Sequence, residues 1–367
     1  MIADMEVAAF VLGALLLALT LWDLFQTVVV PRPTPGRFRI ARYAIRGTWP
    51  VVRSFAQGRS ESTRDLVFGM FGPAAAIMLL TLWLGGLILG YGLVLYAIRD
   101  QLSPLPSFGT TVYFAATSVL TLGFGDIVAN GPFARILVIT AAATGLGVVA
   151  LVVTFLFSLY GSYQRREIDV VTLQATAGAP PSAVALLEAY ARLDLVDRLP
   201  EFFIGWQRWS AEVLDSHVAY PLLGFFRSSH DNLSWISSLG TVLDASCLVI
   251  TTINGIPRGE AELARRVGSH LVEDVSNLGF RAGVPGTLGR ADFDAAWARL
   301  ADVGYRLEPA DTAWPRFEAA RAIYAPRLEQ MANYWATAAT SWLGTVADLQ
   351  SPAHPVEPAP APAMRES

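Results

Sequence analysis

Three runs of apolar residues decide what this chain can fold into. Val7–Val30, roughly Gly69–Ile98 and roughly Ala134–Tyr160 each reach the ~20 residues that a helix needs to cross a bilayer. In lipid, backbone polar groups must be satisfied within the structure, so such runs fold as helices. The composition agrees: 53% of residues are hydrophobic and 16% charged, against about 25% charged in ordinary soluble domains. The first run does not read as a signal peptide, because Asp4 and Glu6 precede it without a base.

The arginines orient the runs. Arg32, Arg37, Arg39, Arg42, Arg46, Arg53, Arg59 and Arg64 crowd residues 31–65 against only Glu61 and Asp65, while the N-terminal tail has no base. The positive-inside rule puts this loop in the cytoplasm and the N-terminus outside, in a multi-pass protein of the cell membrane. Arg165 and Arg166 after the third run agree. All 27 basic residues are Arg and the net charge is -4, so no nucleic-acid partner is expected. One cysteine, Cys247, leaves no disulfide framework. No span repeats Arg at every third position, so no voltage-sensing helix is expected.

Between the second and third runs lies Leu102–Val128, too short and too polar to span twice as helix. It has to enter the membrane and return, lined by protein or water. Pro106 and Ser107 mark the start of a short helix, followed by "TSVLTLGFGD", Thr117–Asp126. Successive carbonyls face one side only where the backbone alternates in handedness, which glycine tolerates and other L-residues resist. Gly123 and Gly125 stand at that spacing. Leu122 and Phe124 are expected to turn away and pack on the short helix, and Thr121 adds a hydroxyl at the inner end. The short helix aims its negative C-terminal end at the space below. Rings of carbonyls replace the hydration shell of a potassium ion.

These residues resemble the pore domain of tetrameric potassium channels, whose signature is Thr-x-Gly-Tyr/Phe-Gly-Asp. The likeness covers roughly 66–166, and the type is the bacterial two-helix pore with an added N-terminal membrane helix. It implies K+ at Thr121, Leu122, Gly123 and Phe124, with Gly125 completing the filter and Thr117 and Asp126 supporting it. It also implies a homotetramer among membrane lipids, because one chain supplies one filter strand and the ring needs four. Potassium is then the permeant ion, with no other cofactor. The departures are Leu122 for the commoner Val, Phe124 for Tyr, and Thr117 where some members place a Glu that pairs with the filter Asp. They leave Asp126 less tightly held.

In the third run Gly145 and Gly147 suit either a gating hinge or close helix packing through small residues. "GLGVVA" also fits a dinucleotide fingerprint, but without a preceding strand it has no such role. Asp23, inside the first run, is expected near its cytoplasmic end, facing headgroups or paired with a base such as Arg32.

Beyond Arg166 the pattern becomes that of amphipathic and buried helices. The expected fold is thus an all-α membrane protein in five parts: a transmembrane helix at 1–30, an Arg-rich loop at 31–65, the pore domain at 66–166, a helical cytoplasmic domain at 167–345 and a Pro-rich tail at 346–367. Leu233–Ile253 is nearly long enough to span, but its serines and Asp244 favour a core helix. His217, His230 and His270 read as surface or capping residues rather than a sensor. No catalytic constellation and no nucleotide-binding pattern appear, so the cytoplasmic ligand stays unnamed. The expected function is passive, potassium-selective conduction gated by the helical domain. The alternatives are a non-selective cation channel and a membrane-tethered sensor or scaffold.

Overall fold

The structure, a computed structural model, describes residues 2–30, 40–228, 232–277, 288–337 and 340–344. The chain divides into two compact units, Met1–Arg166 with Glu212–Arg227, and Glu167–Ala211 with Ser228–Ser367. It is mostly helical, and among the described residues three helices are long and apolar enough to cross a membrane. The Arg32 alternative for Asp23, the tail, and His230 all lie outside the described residues.

In the first unit, α1 (Ile2–Leu24) runs into a π-turn at Phe25–Val29. It packs along α3 (Glu61–Ala97). Close approach is possible because Gly86 and Gly90 lie one turn apart. A Cβ on Gly90 would come within 2.7 Å of Leu17, and one on Gly86 within 2.5 Å of Thr20. Small residues bring membrane helices together in this way, where apolar burial gives no driving force between them.

The stretch expected as a loop at 31–65 is helical over α2, Ile40–Ala56. Pro50 and the many arginines hide its period, but Ala41, Trp49 and Ala56 share a buried face. Asp23 meets α2 at its first described turn. Its carboxylate is 1% exposed and accepts the Ala41 amide at 3.2 Å and the Trp83 indole N–H at 2.8 Å. An acid at a helix N-terminus satisfies an orphan amide and suits the helix dipole. Asp23 is therefore buried as a cap for α2 and a tie to α3, not exposed to headgroups.

The short helix α4 (Phe108–Val119) begins at Ser107, whose side chain accepts from the Thr110 amide. A two-residue antiparallel pair, β1 (Leu102–Ser103) with β2 (Val128–Ala129), closes the loop that holds α4. Helix α5 (Pro132–Ala177) then runs unbroken beyond the apolar run that ends at Tyr160, as far as the Gly and Pro residues that begin at Gly178. Leu79, Trp83, Leu87, Phe114, Val119 and Val148 belong to the core that joins α3, α4 and α5.

The segment 212–227 also belongs to this unit, although the sequence places it inside the cytoplasmic domain. It comprises the end of α7 (Leu199–Ala219) and a 3-10 turn at Pro221–Phe225. Pro221 cannot continue the helix that the apolar pattern suggests up to Arg227.

The second unit is helical, with one two-residue antiparallel pair, β3 (Ile253–Asn254) and β4 (Arg306–Leu307). Its centre is α8 (Trp235–Thr251), 17 residues long and buried on every side. That matches the core-helix expectation, and the length is below the ~20 residues of a span. Ser234 caps it in a reciprocal bond pair with Ser237. Around it pack α6 (Ala183–Arg192), α9 (Gly259–Ser276), α11 (Ala310–Arg321) and α12 (Ala325–Trp335), with α10 (Arg290–Asp302) against α6 and α11. α12 follows α11 after a short turn and has Pro326 in its first turn.

Candidate functional site

The site is the strand that leaves α4. Its backbone has positive φ at Thr121 (57°), Gly123 (58°) and Gly125 (79°), alternating with Leu122 and Phe124, which do not. Two of the three positions are the glycines that the spacing singles out. The third is not legible in the sequence, because a β-branched residue at positive φ is a true outlier. Strain of this kind persists where the surroundings over-determine it, and it clusters at functional sites.

What holds Thr121 there is the end of α4. The Thr117 carbonyl accepts the Leu122 amide at 2.7 Å and sits 3.4 Å from the Gly123 amide, while the Thr121 amide reaches the Ser118 carbonyl at 3.0 Å. Thr117 thus supports the strand through its backbone, and its hydroxyl is spent on the Phe114 carbonyl at 3.0 Å. One neighbour was not foreseen: the Tyr113 side chain, on α4, lies close enough to Asp126 to interact with it. Asp126, expected to be less tightly held, thus has Tyr113 beside it. Its signal in the sequence is an aromatic hydroxyl four residues before Thr117.

Leu122 and Phe124, expected to pack on the short helix, stay largely uncovered in the single chain. They are 56% and 65% exposed. The faces of α4 are taken up elsewhere, with Thr111, Phe114, Ala115 and Val119 buried and Val112 against Gly92 of α3.

Beneath the strand, Gly145 lies under the end of α4. A Cβ there would fall 1.9 Å from the Val119 carbonyl oxygen, whereas one on Gly147 would meet nothing within 4 Å. Tyr91 and Thr144 join α3 to α5 through their hydroxyls at 2.9 Å.

The second unit has a buried polar cluster. Asp244 accepts from Tyr324 Oη at 2.5 Å and from Arg321 Nε at 3.0 Å. Burial raises the Asp244 carboxyl, against the pull of Arg321 and Tyr324. Burial also pushes the Cys247 thiol up to about 12, so it is not a nucleophile. A groove of about 630 Å³ is lined by Arg265, Arg266, His270 and Arg327. Its cations are already paired, Arg265 and Arg266 with Glu262 and Arg327 with Glu273.

Residues 79–161 match a family model described as an ion channel. The stretch takes in the second half of α3, all of α4, the Thr121–Asp126 strand and the first two-thirds of α5, so this part of the chain is a pore-type domain. The chain is also similar to an uncharacterized membrane protein, YdjJ, of Bacillus subtilis (strain 168). The two are 23% identical over 222 residues, 58% of this chain and 63% of that protein. The chain thus matches less than two thirds of that relative's length. No solved structure matches it.

Proposed function

We propose that four copies of this chain form a potassium-selective channel, with residues 121–125 as the filter. The alternation of positive φ at Thr121, Gly123 and Gly125 carries this reading. It is the backbone handedness that turns successive carbonyls to one side, as dehydration of a potassium ion requires. Tetramerisation follows from the closed ring and gives the exposed Leu122 and Phe124 a neighbouring chain to pack against. The exposed apolar face of α5, with Ile136, Ile139, Leu146 and Phe157, also suits a neighbouring copy or lipid. The arginines of residues 31–65 favour a cytoplasmic second unit and an outer N-terminus. The unbroken α5 favours gating from the cytoplasmic side, because a continuous helix transmits tilt or rotation where a slack tether would not.

The test is flux into liposomes loaded with purified protein. Potassium-driven flux with a reversal potential that follows potassium rather than sodium supports the reading. A potential that follows both alike indicates a non-selective cation channel. Gly123→Ala puts a side chain at positive φ and should abolish flux while tetramers persist. Wild-type flux from that variant would refute the filter assignment, and a wild type with no flux at all would favour the scaffold.

A further inference from the structure

The segment 212–227 grips three helices of the pore-type unit at one end. Phe225 meets Trp49 of α2 and Phe71 of α3, with ring centroids 5.2 and 5.1 Å apart. Phe226 lies against Tyr160 and Tyr163 of α5, at 5.8 Å from each. On its other side Phe226 fits over Gly72 of α3, where a Cβ would come within 2.8 Å of the ring. Arg227 pairs with Asp65 at 2.9 Å. Tyr163 Oη donates to the Arg227 carbonyl at 3.1 Å.

At the centre is Arg166, a charged side chain only 2% exposed. Nη1 donates to the Leu223 carbonyl at 3.1 Å and Nη2 to the Phe226 carbonyl at 2.7 Å. Nη1 also lies 3.1 Å from His217 Nε2. His217 Nδ1 is 2.9 Å from the Val213 carbonyl, to which it can only donate. That leaves Nε2 as the acceptor facing Arg166. A planar guanidinium reads several acceptors in a fixed fork, which a lysine cannot do. The sequence gives Arg166 only the role of a membrane flank. Its acceptors are 57 and 60 residues further along the chain.

We propose that Arg166 is a positioning residue for gating: it fixes the end of the pore helix α5 to a clasp, residues 212–227, that also holds α2 and α3. The inference rests on the proposed channel function. For α5 to tilt or turn relative to α3 at this end, the clasp has to break or move with it. The clasp therefore sets the balance between conducting and non-conducting states and leaves ion selection to the filter.

Single-channel recording of the full chain in planar bilayers tests this, with tetramer content checked by cross-linking. Arg166→Met keeps the bulk and loses every donor. Gly72→Val attacks the same clasp from α3 and changes no charged residue. Each should change the open-to-closed ratio about tenfold or more, the scale of losing charge-assisted bonds. Both should act in the same direction, with unchanged unitary conductance and potassium preference. The double variant should resemble the singles, since one clasp breaks only once. Arg166→Lys, with three donors, should restore part of the wild-type ratio.

Unchanged gating in intact tetramers of either variant overturns the proposal, as do shifts of opposite sign. If Arg166→Met does not assemble, Gly72→Val decides alone. A wild type that fails to conduct potassium in the same bilayers defeats the channel reading instead, so the two failures are distinguishable.

Discussion

Gly145→Ala adds one methyl group where the structure has no room for it. The new Cβ would sit 1.9 Å from the Val119 carbonyl oxygen and 2.7 Å from its carbonyl carbon. Both are backbone atoms and cannot rotate away, so α4 or α5 has to retreat by more than an ångström. Overpacking a core commonly costs about 1–3 kcal/mol, and a clash with backbone belongs at or above the top of that range. Alanine also favours helix over glycine by about 1 kcal/mol, which offsets only part of the loss. If α4 moves, it takes with it the Thr117 carbonyl that holds Leu122 and Gly123, so the strand after α4 should loosen. Gly147→Ala is the matched control. It gains the same helix propensity and meets nothing within 4 Å. Thermal unfolding of the purified protein in detergent should place Gly145→Ala well below wild type and Gly147→Ala at or above it. Potassium flux should fall in the first and persist in the second. Wild-type stability and flux in Gly145→Ala would refute the packing argument. Lost gating in a stable Gly147→Ala protein would locate a hinge at that residue instead.

Asp23→Ala leaves the buried Trp83 indole N–H and the Ala41 amide without their acceptor. It should lower stability by about 1–3 kcal/mol in the same unfolding assay, and an unchanged midpoint would contradict the cap. Cys247 is fully buried, with its thiol raised to about 12, so a maleimide should label it only after denaturation. Labelling of the native protein would show that the second unit opens around α8. Burial, with Arg166 beside it, holds the His217 imidazole well below its ordinary 6.5, so the folded state keeps it neutral. The unfolded chain takes up a proton as pH falls below about 6.5. Its contribution is therefore present above that pH and is lost on acidification toward the lowered folded value. The unfolding midpoint of wild type should fall between about pH 7 and 5 more than that of His217→Gln, and parallel curves would refute the linkage.

Which parts were legible follows from how far apart the determinants lie. The filter strand shows because both glycines, the threonine and the aspartate fall within six residues, and glycine spacing reports backbone handedness directly. The spans show because apolar length is a local property. The bracing of that strand did not. Thr117 acts through a carbonyl, which every residue has, and Thr121 takes a conformation that its side chain argues against. Asp23 looked like a charge in need of a base, because its partners, an amide 18 residues on and an indole 60 residues on, are not ions.

The boundary at Arg166 shows the same limit. A change from apolar to amphipathic pattern marks where α5 passes out of the first compact unit, and on that pattern everything beyond it reads as one domain. The return of residues 212–227 depends on groups that carry no compositional mark: two carbonyls and one glycine on α3. Pro221 is the one local sign, since it interrupts an apolar period that otherwise continues to Arg227. Each contact is modest, but they converge on a guanidinium with little access to water. A buried cation held by carbonyls is costly to release, since an unpaired charge in a dry site is far less stable than one in solvent. The clasp should therefore let go as a unit rather than fray contact by contact. A joint that is either made or broken suits the gating role proposed for Arg166.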